Sequence, residues 1–253
     1  MAVRLKSAED IIALRASGAI LSRVLSALRE EVRPGITLAS LDQKARELLK
    51  KEGAHSAFLG YVPEGMTEAY PAAICASVNE TVVHGIPGDR RLHEGDILSI
   101  DLGVVYRKYV TDGAITVPVG TVSSEAKKLL QVTEDALRAG IKAAKVGSTT
   151  GDIGHAVSLC VKKSGLSVIK GLTGHGVGFA LHEDPAVPNY GERGRGVELL
   201  PGMVIAIEPM VSTGSPFAIA EDDDSFRTKD RSWSAHFEHT VAITEQGTEI
   251  LTQ

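Results

Sequence analysis

The chain has 253 residues, 43% hydrophobic and 23% charged, with a formal net charge of -5 at pH 7. That length is ample for a buried core, and the charge content is globular, which excludes disorder over the whole chain. The acidic balance and an aromatic content of only 4% give neither a polyanion footprint nor a base-stacking platform, so no nucleic-acid substrate is expected.

Other absences narrow the class further. The longest clean apolar stretch, Met203 to Ile207, is far short of the roughly 20 residues of a membrane span. The opening residues carry no apolar core of a signal peptide. Two cysteines, Cys75 and Cys160, make no disulfide framework and read as reduced thiols. A soluble cytoplasmic protein is expected.

In chain order, Ser7-Ala8-Glu9-Asp10 resembles a capping box that opens a long helix. Ile11, Leu14, Gly18, Leu21, Leu25 and Leu28 recur in alternating steps of 3 and 4, which is one helical face. Pro34-Gly35 stops it, Thr37 caps a second helix with Leu38, Leu41, Ala45 and Leu48, and Gly53 ends that one. Strands are expected around Ala72–Val78 and Ile97–Val105, then helices from about Ser124 to Ala144 and from about Thr149 to Lys163. The remainder alternates short apolar runs with Gly and Pro, as strands and turns do.

The two halves echo each other. Shifted by 112, Gly35, Thr37, Leu41, Ala45 and Gly53 meet Gly147, Thr149, Ile153, Val157 and Gly165. Shifted by 107, Gly95-Asp96-Ile97-Leu98-Ser99-Ile100-Asp101 meets Gly202-Met203-Val204-Ile205-Ala206-Ile207-Glu208. This predicts a single α+β catalytic domain over 1–253, built of related halves at about 7–119 and 120–253. Helices would cover one face of a mainly antiparallel sheet.

Each half therefore ends an apolar strand with a carboxylate, Asp101 and Glu208, and a buried unpaired carboxylate is costly. Either alone could cap a turn, but a matched pair favours a shared acidic site. Asp112 lies 11 residues after Asp101, a separation that suits a hairpin returning it beside the first; its plain alternative is an Asp-Gly turn. Glu238 falls in the alternating Phe237–Ile243 run and alone reads as a solvated strand face. Three glycines surround His175 in Gly174-His175-Gly176-Val177-Gly178, allowing close backbone approach for a ligand or a tight turn. His182 and His84 are further candidates, whereas His55, His93, His155, His236 and His239 have no comparable setting. Two Asp, two Glu and a His could together hold a dinuclear divalent metal site that activates water, which points to a hydrolase.

The ordered set resembles the type I methionine aminopeptidases, metalloenzymes of the pita-bread fold. The matching text is Ser77-Val78-Asn79-Glu80, His84-Gly85-Ile86-Pro87, Ile100-Asp101, Thr111-Asp112-Gly113-Ala114, the His175 glycine run, His182-Glu183-Asp184-Pro185, Ile207-Glu208-Pro209 and Phe237-Glu238-His239-Thr240. The resemblance covers nearly the whole chain and implies the short form of the enzyme. It implies that Asp101, Asp112, His175, Glu208 and Glu238 ligate two divalent ions (Co, Mn, Fe, Zn or Ni), with Asp112 and Glu238 bridging. It further implies that His84 and His182 contact the scissile amide, and that metal-bound water or hydroxide attacks with Glu208 as general base. Tyr61, Tyr70 and Cys75 would line the methionine pocket.

The implied substrate is the N-terminus of a nascent polypeptide, cleaved after its initiator methionine when the second residue is small. Transient ribosome association would serve that substrate, although no motif for it is visible, and a monomer is expected. Two departures stand out. Leu181 replaces a Phe common among relatives, and Tyr61 and Tyr70 lie further apart than usual. A proline-specific aminopeptidase of the same fold is the competing enzyme; a binding protein of that fold would have lost ligands.

Overall fold

A computed structural model of the chain describes residues 3–62 and 68–253. Helix α1 (Ala8–Glu31) starts where the capping box places it. The Asp10 N–H donates to Ser7 Oγ at 3.2 Å, and the Ser7 N–H donates back to Asp10 Oδ2 at 2.9 Å. Its apolar stripe is buried, with Leu14, Leu21 and Leu28 fully enclosed. By length and hydropathy α1 is the one helix among the described residues that could cross a membrane, yet half of its most apolar window lies inside the fold. Helix α2 (Leu38–Lys51) follows, capped by Thr37.

Strands β1 (His55–Ser56), β2 (Cys75–Val78), β3 (Thr81–Val83), β4 (Ile97–Tyr106) and β5 (Tyr109–Pro118) complete the first half. The strand expected from Ala72 begins only at Cys75. A long-range contact is the reason: Asp42 Oδ1 on α2 accepts the N–H groups of Ala73 and Ile74 at 2.6 and 3.2 Å, removing both from any ladder.

The second half opens with α3 (Ser124–Ala143) and α4 (Thr150–Lys163). Strands β6 (Ser167–Val168), β7 (Thr173–Gly176), β8 (Glu183–Pro188), β9 (Val204–Ile207) and β10 (Met210–Ser212) come next. The chain then runs through β11 (Ala218–Ala220), β12 (Phe226–Thr228), β13 (Ser234–His236), β14 (His239–Thr244) and β15 (Gly247–Ile250).

The halves match in detail. Helices α2 and α4 have bounds related by the 112-residue shift. The Gly35 N–H donates to Leu92 O at 2.8 Å, and the Gly147 N–H donates to Leu199 O at 3.0 Å. Gly35 and Gly147 both occupy the left-handed region, at φ 87° and 79°.

Among the described residues, every pairing between these strands is antiparallel, with one isolated parallel bridge at Lys170 and Phe217. In the first half β4 pairs with β1, β2 and β5; in the second the order is β15-β14-β9-β7-β8. One apolar cluster joins α1 and α2 to β4, and another joins α3 and α4 to β9 and β14. The two sheets meet where the Glu238 N–H donates to Ala114 O at 2.9 Å and the Ala114 N–H donates to Glu238 O at 3.4 Å. Thr240 ties the same seam: its Oγ1 accepts the Asp112 N–H at 2.9 Å and its hydroxyl donates to Asp112 O at 2.8 Å.

Helix α1 crosses the C-terminal segment at Gly18, where an added Cβ would land on the Leu251 carbonyl. Helix propensity alone favours Gly18→Ala by about 1 kcal/mol. Overpacking against backbone opposes it by about 1–3 kcal/mol. The variant is therefore expected to unfold at lower urea concentration than the parent chain with an unchanged slope. A midpoint at or above the parent value would contradict that contact.

Candidate metal centre

Register explains how residues distant in sequence converge. Across β4–β5, Asp101 stands opposite Ala114 and Gly103 opposite Asp112, so both carboxylates share one face of the hairpin as diagonal neighbours. The hairpin therefore does return Asp112 beside Asp101, and the Asp-Gly turn reading fails. The reversal lies instead at Arg107 and Lys108, both at positive φ (48° and 71°).

Ala114 pairs with Asp101 on one side and Glu238 on the other, so a small side chain separates two carboxylates in one row. The β9–β14 pair His239↔Ile207 and the β10–β13 pair Met210↔His236 share one register, which places Glu238 opposite Glu208 between them. Glu238, read from sequence as solvated, is 3% exposed. The seam with β5 buries it.

His175 comes from β7. Its glycine flanks serve the sheet: a Cβ at Gly174 or Gly176 would strike the carbonyl of Ala206 or Asp184. Its Nδ1 lies 2.9 Å from Gly176 O, and a carbonyl can only accept, so the proton is on Nδ1 and the Nε2 lone pair is free. That Nε2 is 3.4 Å from Glu208 Oε1 and 3.9 Å from Asp112 Oδ2.

The His182 ring meets His175 edge to face at 4.5 Å, and its Nδ1 is 2.8 Å from the Tyr61 hydroxyl. His84, at φ 61°, packs against Phe226 with ring centroids 5.7 Å apart. Tyr70 shares its hydroxyl between the carbonyls of Ile74 and Gly85 at 3.2 and 3.1 Å. All ten candidate residues line one cavity of about 390 Å³, together with apolar Phe58, Val83, Leu181 and Met210. Leu181 is buried in that wall, whereas 63–67, within the widened Tyr61–Tyr70 interval, lie outside the described residues.

His236 was discounted from sequence, yet it belongs to this cluster. It is 1% exposed, with Nε2 3.5 Å from Glu208 Oε2 and 3.9 Å from Glu238 Oε2. Its spacing of two from Glu238 on an alternating run was the available signal.

Burial first, and the neighbouring carboxylates second, push Asp101, Glu208 and Glu238 well above the usual carboxylate range. Burial pushes Asp112 up to about 7, opposed by the Gly113 N–H. The histidines are kept neutral by burial, His182 down to about 4 and His236 down to about 3.

A divalent cation fits this donor set. Asp101 Oδ1, Glu238 Oε1 and His236 Nε2 are buried with no hydrogen-bond partner among the described residues. Asp112, His175 and Glu238 offer ligand atoms within 4.8 Å of one another, as do Glu208, His236 and Glu238. Oxygen-rich ligation with imidazole suits first-row transition ions.

Fold and site together define a metallopeptidase, and residues 13–245 match the model of Metallopeptidase family M24. The chain is 44% identical over 249 residues to methionine aminopeptidase 1 of Bacillus subtilis, covering 98% of both chains. It superposes on the crystal structure of methionine aminopeptidase from Rickettsia prowazekii with a TM-score of 0.96 at 35% identity, covering all of both. Against a prolidase from Pyrococcus furiosus the TM-score is 0.79 at 26% identity, with 98% of this chain and 65% of that one covered. The chain belongs to metallopeptidase family M24, and its fold is the pita-bread fold shared by these structures.

Stability without cations should depend on pH in a defined direction. The folded chain holds protons on the raised carboxylates that the unfolded chain releases above about 4. This contribution is complete below about 4 and is lost as pH rises through the folded values, including about 7 for Asp112. Below about 6.5 the lowered histidines oppose this, because the unfolded chain protonates them and the folded chain does not. In excess chelator the melting temperature should therefore fall between about pH 6.5 and pH 8, where added Mn²⁺ should restore it. A chelated protein whose melting temperature rises over that interval would contradict the raised carboxylates.

Proposed function

We propose that this chain removes the initiator methionine from protein N-termini when the second residue is small, as a metal-dependent aminopeptidase. The observation that carries the reading is the buried row of four carboxylates with His175, opening into one partly apolar cavity. Asp101, Asp112, His175, Glu208 and Glu238 would hold two divalent ions of the Mn, Fe, Co, Ni or Zn type, with Asp112 and Glu238 placed to serve both. When bound, such ions polarise the scissile carbonyl and acidify water toward neutrality.

The chain's own groups account for the rest. In the tautomer that accepts the Tyr61 hydroxyl at Nδ1, His182 carries its proton on Nε2, where it can reach the carbonyl oxygen of the first peptide bond. His84, whose pKa is lowered by partial desolvation, lines the same cavity and flanks the same bond. Glu208 receives the proton of the attacking water and passes it to the departing amine. The apolar wall of Phe58, Tyr61, Tyr70, Cys75 and Leu181 takes the methionine side chain. Residues 7–119 and 120–253 act as one catalytic domain, because the ligands come from both halves. A monomer working in the cytoplasm on chains leaving the ribosome completes the reading.

Loss of a shared ligand and loss of a transition-state donor separate in one experiment. Asp112→Asn and Glu238→Gln should each weaken metal binding by more than about tenfold and abolish turnover with it. His182→Ala should keep the parent metal content and lose about 10²–10³ in kcat. Unchanged metal stoichiometry in both carboxylate variants would remove the ligand assignment.

A closed wall around the scissile bond rejects bulk more strongly than it rewards fit. On Met-Xaa-Ser peptides, kcat/KM should be high for Ala and Val and collapse for Leu and Lys. Similar values for Ala and Lys would contradict the size filter. Faster cleavage of Ala-Pro-Ser than of Met-Ala-Ser would move the chain to the proline-specific branch.

A further inference from the structure

His236 lies outside the five-residue ligand set, and its surroundings are those of a ligand. It ends β13 opposite Met210 and shares a strand face with Glu238, two residues on. Its backbone is pinned: the N–H donates to Thr116 Oγ1 at 2.9 Å, and the Thr116 hydroxyl donates to His236 O at 2.7 Å. Rotation of the ring is thus the only freedom left, and burial leaves little of it.

The ring nitrogen addresses Glu208 much as His175 does. Nε2 of His236 is 3.5 Å from Glu208 Oε2 and 3.9 Å from Glu238 Oε2. Nε2 of His175 is 3.4 Å from Glu208 Oε1 and 3.9 Å from Asp112 Oδ2. The two imidazoles therefore face opposite oxygens of one carboxylate at matched separations. These gaps exceed the roughly 2.7–3.2 Å of an N–H···O hydrogen bond. They match two donors on one cation, since ligands about 2.0–2.2 Å from a metal stand about 2.8–4.4 Å apart. A buried imidazole nitrogen with no hydrogen-bond partner is costly, and a cation beside Nε2 would take up its lone pair and remove that cost.

From this geometry we infer that His236 is a sixth protein ligand, presenting a second imidazole to the Glu208–Glu238 side of the centre. The inference rests on the reading that the carboxylate row holds cations. It gives the centre more nitrogen character than His175 alone and shifts its preference from Mn²⁺ toward Co²⁺ and Zn²⁺.

Two measurements test it. Co²⁺ is titrated into the chelator-stripped full chain and into His236→Gln and His236→Ala, following both heat and the visible ligand-field bands. The parent chain is expected to bind two ions, and both variants to bind one of them about tenfold or more weakly with altered bands. Independently of any variant's folding, X-ray absorption on the Zn²⁺-loaded parent chain should count about one imidazole per ion rather than about one per two ions. Variant affinities and bands equal to the parent's, or an imidazole count of about one per two ions, would overturn the role of His236 while leaving the five-residue centre standing. A parent chain that binds no Co²⁺ would overturn the metal reading itself.

Discussion

Four carboxylates crowded into one largely enclosed row across the seam of two sheets cannot all be charged unless something positive stands among them. Asp101, Asp112, Glu208 and Glu238 are brought to that condition by backbone geometry, because the Ala114–Glu238 hydrogen bonds set two sheets in a register that aligns their rows. A slip of one residue at this seam would turn Glu238 and His236 to the opposite face and dismantle the cluster. The same seam that joins the halves therefore makes the site.

Around that row the fold supplies rigidity from several directions. The loop carrying His182 is held from below by Glu183, whose Oε1 accepts the N–H groups of Phe179 and Ala180 at 2.6 and 2.8 Å. Its Oε2 meets Lys6 Nζ at 2.7 Å, and both side chains are almost fully enclosed. Burial lowers the Lys6 pKa and the Glu183 partner opposes that shift. Removing either member would strand a buried charge, which costs far more than an exposed pair is worth. On the other wall, Tyr70 anchors the Ile74 and Gly85 carbonyls and so holds the turn that carries His84 in its left-handed conformation. Chemistry and pocket thus depend on contacts between segments far apart in sequence.

Much of this was legible in the residues. The capping box at Ser7 and the 3–4 spacing of Ile11, Leu14, Gly18 and Leu21 located the first helix because those signals are local. The acid-ended strands marked Asp101 and Glu208 because an apolar run ending in a carboxylate requires a partner. What failed was non-local. The 11-residue spacing of Asp101 and Asp112 suited a hairpin, but the reversal itself, at Arg107 and Lys108, uses no glycine or asparagine and left the Asp-Gly turn open as an alternative. Glu238 read as solvated because only the pairing with Ala114 buries it. The early start assigned to β2 ignored Asp42, which reaches over from α2. His236 was visible in the two-residue period but was set aside as an isolated imidazole.

The central claim is that the buried carboxylates hold protons until cations replace them. Calorimetric titration of Mn²⁺ into the chelator-stripped chain at pH 7, repeated in buffers of different ionisation enthalpy, counts those protons directly. Two bound ions with a clear release of protons, growing as the pH is lowered toward about 6, is the predicted result. Binding of two ions with no buffer dependence, or no saturable binding at all, would contradict it.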